Sequence, residues 1–250
     1  LIDRQRAKKF SDMYTGLDPH AQNWDAEKKM IRSPLTGSRG PRHVVTHEDW
    51  ETHRTVLDDY LAPYEDVVKT DFSSMLCHWS DPEVYDDLIT KMNARMNRGD
   101  VPLNLNATSL MTHAFMYSGE ERLKKWVVEY LGAWSERKDR NGGIIPDNIG
   151  LSGEIGEYND GKWWGGYYGW RWPHGFMTLM EPMTNAGMNA VLLTGDYSYL
   201  DLPRSQFDLM WSLRKEIDGV VKVPNRRFDD GWADYRLPYP RHMIYLWTTS

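Results

Sequence analysis

Between Asn141 and Gly175 the chain concentrates the side chains best suited to chemistry. Asp147, Asn148, Glu154, Glu157, Arg171 and His174 stand among Trp163, Trp164, Tyr167, Tyr168, Trp170 and Trp172. Gly161, Gly165, Gly166 and Gly169 are interleaved with the rings. Glycine lets a backbone take positive φ and approach other groups closely. Large rings with polar edges, held on such a frame, make a flat-walled site. Rings stack on the apolar faces of pyranoses, and carboxylates, amides, arginine and histidine bond the hydroxyls. The chemistry indicated is that of a sugar site. The competing reading is an aromatic hairpin packed as core between helices, and composition alone does not separate the two.

Two mechanisms fit these residue types. β-Elimination on a uronate-containing saccharide needs donors for the uronate carboxylate, such as Asn148 or Arg171. It also needs a base for the C5 proton and an acid for the leaving oxygen. Tyr167, Tyr168 and His174 share one loop that can supply both. Glycoside hydrolysis instead needs paired carboxylates. Asp147, Glu154, Glu157 and the pair Asp229-Asp230 are the candidates, with Trp163, Trp164, Trp170 and Trp172 as substrate platforms. His78, in CHWSD at a helix boundary, is a further candidate for contacting substrate. His113, in the apolar run TSLMTHAFMY, reads as a core histidine. Arg32, Arg39 and Arg42 lie in a loop of glycines and prolines, where they either meet an acidic substrate or stay solvated.

The chain has 250 residues and a formal net charge of −6, enough for one large domain or two small ones. Mild acidity argues against nucleic acid, which usually leaves a basic stripe. No apolar run approaches the ~18 residues of a membrane span, and no signal peptide is visible. The single cysteine, Cys77, excludes an internal disulfide and a cysteine-based zinc site. It reads as a buried thiol rather than a nucleophile. No metalloprotease, hydrolase-elbow, P-loop or Rossmann fingerprint appears. No spacing draws His78, His174 and His242 to one metal, so neither metal nor cofactor is expected. The chain starts at Leu1 and stops at Ser250 inside an apolar run, which reads as a fragment of something longer, cut short at its C-terminus.

The elements that must hold these residues are mostly helical. Residues 1–45 read as an N-terminal helix and an irregular arm, with Ile2, Phe10, Met13 and Tyr14 as apolar points. Thr46 and Asp49 offer a capping box. Trp50, Val56, Leu57, Tyr60 and Leu61 follow at helical spacing. Ser80 or Asp81 caps the next helix, with Pro82 in its first turn. Further helices run from about 105 to 117, 121 to 137, 176 to 193 and 202 to 215.

Here the chain repeats itself. Ala114 to Glu120 (AFMYSGE) aligns with Ala190 to Asp196 (AVLLTGD), and Trp134 matches Trp211. NGGI at 141–144 matches DGVV at 218–221, and GWRWPH at 169–174 is echoed by DYRLPY at 234–239. A helical hairpin cannot bury both faces alone, so neighbouring units must stack. Over residues 46–250 the SGE and TGD turns, with NGGIIPDN and GYYGWRWPHG, resemble the (α/α) toroids of carbohydrate-active enzymes. The resemblance implies an all-α toroid or incomplete barrel, with a sugar cleft at one end. It also implies the Tyr/His/Asn/Arg set of toroidal polysaccharide lyases. The leading expectation is therefore a polysaccharide lyase, with a glycoside hydrolase as the alternative. A non-catalytic glycan-binding solenoid, or a toroid acting on a small terpenoid-like molecule, are further alternatives. The expected partner is a polysaccharide or oligosaccharide, without nucleic acid or membrane, and homo-oligomerisation stays open. A polysaccharide substrate would favour a periplasmic or extracellular site.

Overall fold

A computed structural model describes residues 2–56 and 58–248. Leu57, expected on an apolar helix face, and the Ile2 side chain lie outside what it describes. Eight α-helices are present among the described residues: α1 Ile2–Tyr14, α2 His47–Val56, α3 Pro82–Arg95, α4 Ala107–Ser118, α5 Glu121–Arg140, α6 Phe176–Thr194, α7 Asp201–Ser212 and α8 Pro240–Thr248. Their starts follow local chemistry. Asp81 caps α3, its Oδ1 accepting from the N–H groups of Glu83 and Val84, with Pro82 in the first turn. Asp49 reaches back to the Thr46 N–H at 2.7 Å, the reciprocal half of a capping box.

The all-α expectation is overturned. Among the described residues four two-stranded antiparallel sheets punctuate the helices, and the fold is mixed α and β rather than an (α/α) toroid. β1 (Trp24–Asp25) pairs with β2 (Met30–Ile31), and β3 (Tyr60–Leu61) with β4 (Leu76–Cys77). β5 (Lys215–Ile217) pairs with β6 (Val220–Lys222), and β7 (Arg226–Phe228) with β8 (Gly231–Ala233). The physical reason lies in the turns. Asp218 and Gly219 both take positive φ, 54° and 72°, as a two-residue hairpin turn requires. The stretches at such turns close on themselves as ribbons and do not extend neighbouring helices.

The helical part of the repeat holds within this architecture, whereas Trp134 is buried and its counterpart Trp211 exposed, and only the 218–221 copy of the glycine turn lies in a hairpin. α4 packs on α5 and α6 on α7. α4 and α6 end alike, with Gly119 and Gly195 left-handed and donating back to Phe115 O and Val191 O, both at 2.7 Å. These two hairpins enclose the main core, built on Trp126, Tyr130, Trp134, Phe176 and Met180. Residues 2–45 join that core. α1 packs on α4, and Trp24 meets Trp126 and Tyr130 at ring distances of 4.7 and 5.3 Å. A second, smaller core gathers Trp50, Trp79, Tyr85, Leu88 and Met92 from α2, α3 and the β3–β4 region. Cys77 lies in it, its thiol pushed up to about 12 by burial, which makes it inert as a nucleophile.

One buried ion pair pins the arm. Asp100 and Arg137 meet at 3.2 Å, and both side chains are almost wholly enclosed. Asp100 also accepts from Tyr130 Oη, Asn104 Nδ2 and the Ile31 N–H, while Arg137 donates to the Lys28 and Lys29 carbonyls. Removing one partner of such a pair strands a charge in the interior. Arg137→Met is therefore expected to cost ~3–5 kcal/mol of stability, read as a lowered urea midpoint with unchanged slope. An unchanged midpoint would remove this pin from the account.

Candidate functional site

The 141–175 loop is held by a carboxylate at its start. Asp147 is fully buried. Its Oδ1 accepts from the Gly166 N–H (2.8 Å) and from Asn148 Nδ2 (3.0 Å). Its Oδ2 accepts from the N–H groups of Trp170 (2.7 Å) and Gly165 (3.0 Å). Burial pushes this carboxyl up to about 6, against the pull of the four donors. Gly169 is required here, because a Cβ on it would stand 2.1 Å from Asp147 Oδ2. From the sequence, Asp147 is expected to meet substrate or serve as a hydrolytic carboxylate, and Asn148 to neutralise a uronate. The structure uses them as frame: Asn148 also donates to the Lys162 carbonyl at 3.0 Å.

The rings divide between core and surface. Trp170 and Trp172, expected as sugar platforms, are buried in different cores. Trp170 donates to the Ile145 carbonyl and stacks on Phe176. Trp172 lies against Trp50 and stacks on Tyr168 at 4.9 Å. Trp163 and Trp164 are half-buried and meet edge to face. Glu157 binds the Ser152 N–H and hydroxyl within the loop, and Glu154 pairs with Arg140 on the surface. His174 and Asp230 are exposed. His78 is exposed beside Asp58 and Asp59, and His242 lies near Glu181. No group of three or more metal-ligating side chains forms among the described residues. None of the described helices is long and apolar enough to cross a membrane.

The Tyr/His/Asn/Arg set is therefore split. Tyr167 faces one cleft and Arg171 another. The first cleft, about 710 Å³, runs between the 35–42 loop and α2. Its floor is Trp50, flanked by the ring of His53 at 4.5 Å and that of Tyr167 at 6.1 Å. Burial holds the His53 imidazole below its ordinary value, so it is neutral at pH 7. Burial, with Tyr168 alongside, holds the Tyr167 phenol well above the usual tyrosine range and protonated. Arg42 closes a bidentate pair with Asp49, with oxygens at 2.7 and 2.5 Å. Arg39 is exposed on the same rim and has no ionic partner among the described residues. The second cleft, about 450 Å³, opens on the other side of the loop. There Asp229, one of the expected carboxylates, meets Lys162, Trp164 and Glu65.

The matched sequence spans both sides of this frame. The chain belongs to the family described as Domain of unknown function (DUF8034), whose sequence model matches residues 2–222. No curated protein and no solved structure matches the chain. The matched stretch contains the whole first cleft and the Asp147 frame, while Asp229 lies beyond it.

Sequence reasoning missed His53, Glu65 and Tyr64. His53 had a usable signal: it stands three residues after Trp50 on one helix, and that spacing places both on the same face. Glu65 and Tyr64 carry no motif. Exchanging Asp147 for asparagine sets an amide donor against backbone donors. It is expected to cost ~1–3 kcal/mol, measured by urea unfolding. Gly169→Ala is expected to cost at least as much through the clash with Asp147. If both variants match the parent, the frame is not held by this carboxylate.

Proposed function

We propose that the protein cleaves a uronate-containing saccharide by β-elimination in the first cleft. The observation that carries this reading is the meeting there of a neutral histidine, a protonated tyrosine and an uncommitted arginine over one indole floor. The cleft's charged side chains are Arg39, Arg42 and Asp49, and the Arg42–Asp49 pair is self-neutralising. Arg39 is then left to meet an anionic ligand, and a uronate carboxylate suits it. A pyranose ring seated on the half-buried Tyr167 contributes apolar contact.

The steps follow from the protonation states. Arg39 holds the carboxylate and stabilises the charge that develops on it as C5 loses its proton. The His53 imidazole takes that proton. The C5–H electrons form the C4–C5 double bond, and the C4–O bond breaks. Tyr167 gives its phenolic proton to the leaving oxygen, and the proton on His53 then restores the phenol through solvent. No oxidant and no cofactor enters the balance.

The test is a panel of uronate polysaccharides followed in parallel by ultraviolet absorbance of the conjugated product and by reducing ends. Both are expected to rise together. Loss of His53 or Tyr167, as His53→Ala or Tyr167→Phe, is expected to lower kcat by ~10²–10⁴-fold. Because His53 works as a base and burial lowers its pKa, kcat/KM is expected to hold down to below pH ~6.5. It then falls as the imidazole takes up a proton. Reducing ends without absorbance would overturn the lyase reading in favour of hydrolysis by Asp229 and Glu65. An acid limb well above the ordinary histidine value would remove His53 from the base role.

A further inference from the structure

The second cleft contains two buried polar groups that the fold leaves unsatisfied. Arg171 is fully enclosed, and Tyr64 nearly so. The Arg171 Nε stands 3.1 Å from Glu65 Oε1 in an ion pair. None of its three guanidinium nitrogens has an aligned hydrogen-bond partner, and neither has the Tyr64 hydroxyl, among the described residues. Both residues contribute to the wall of the cleft. Buried donors without partners are uncommon in a native fold, and each asks for an acceptor. Phe228 lies under the guanidinium at 4.2 Å and holds it in place.

The other charges of this cleft are committed to one another. Lys162 meets Asp229 at 2.6 Å, Arg95 makes a bidentate pair with Asp66 at 2.8 Å, and Asp229 N–H donates to Glu65 at 3.0 Å. Of the lining residues Arg95, Lys162 and Arg171 carry three positive charges, and Glu65, Asp66, Asp160 and Asp229 carry four negative ones. An added anion would meet a net negative wall. A hydroxyl suits it better, since it accepts from Arg171 and Tyr64 and donates to the carboxylates. At the rim Phe72 is 77% exposed, and Trp164 is half-buried. They offer apolar surface to a ring bearing those hydroxyls.

We propose that this second cleft is a binding subsite for a neutral sugar ring, with Arg171 and Tyr64 as its inner donors and Phe72 at its mouth. The inference goes beyond the proposed elimination and stands on the cleft's own groups. It holds or fails whether or not the first cleft cleaves a uronate.

The test is ligand-observed saturation-transfer NMR with methyl glycosides of neutral hexoses and pentoses, run beside free galacturonate and glucuronate. At least one neutral glycoside is expected to bind, with the uronates weaker. Tyr64→Phe deletes only the unpartnered hydroxyl. It is expected to keep or raise the melting temperature while weakening the glycoside about tenfold. Phe72→Ala changes an exposed side chain and is expected to weaken binding with no change in melting temperature. Binding is expected to survive in His53→Ala, which separates this cleft from the first. Absence of neutral glycoside binding, tighter binding of the uronates, or equal binding in Tyr64→Phe and the parent would each overturn the proposal.

Discussion

The Asp147 carboxylate accepts four hydrogen bonds, three of them from backbone N–H groups between Gly165 and Trp170. A loop of this length, with no regular ladder of its own, must otherwise leave those donors to water or to nothing. Satisfying them at one buried point fixes where the chain turns, and the next residues have no freedom left in choosing a side. Trp170 enters the main core, Trp172 enters the smaller one, and Arg171 between them faces the second cleft. Tyr167, one turn earlier, faces the first. The loop is thus the joint between two cores and the shared wall of two clefts.

The charge pattern of the clefts follows from that division. On one side the 35–42 loop and α2 bring Arg39, Arg42 and His53 around Trp50. On the other, the β3–α3 segment and β7–β8 bring Glu65, Asp66 and Asp229 around Arg171. Burial then acts on the titratable groups in opposite senses. It keeps His53 neutral and Tyr167 protonated, an arrangement in which one group accepts a proton and the other gives one. Arg171 feels the same desolvation, and Glu65 opposes it. The guanidinium stays charged and short of acceptors.

Much of the frame was legible in the residues. Asp81-Pro82 announced the start of α3, and the SGE and TGD turns announced two equivalent hairpins that the left-handed Gly119 and Gly195 confirm. Asp218-Gly219 has the chemistry of a two-residue hairpin turn, yet the strands it joins are three residues each, too short to show an alternation beside helices of up to 20 residues. Strands that short leave the helical periodicity dominant, and the chain reads as all-α. The site was harder to read. In a glycine-rich loop the side-chain direction has no period, so nothing in the order Trp170-Arg171-Trp172 tells that both indoles are interior. Asp147 and Asn148 have the chemistry of sugar ligands, and only the distances show that the backbone already uses them. His53, Tyr64 and Glu65 reach the clefts through tertiary packing, from segments with no chemical signature.

One carboxylate, that of Asp147, holds the loop as a rigid wall. The most direct measurement is amide hydrogen exchange at Gly165, Gly166 and Trp170, compared between the parent and Asp147→Asn. In the parent these three amides are expected to exchange as slowly as the helix interior of α5, and all three to lose protection together in the variant. Fast exchange in the parent, or protection that survives the substitution, would contradict it.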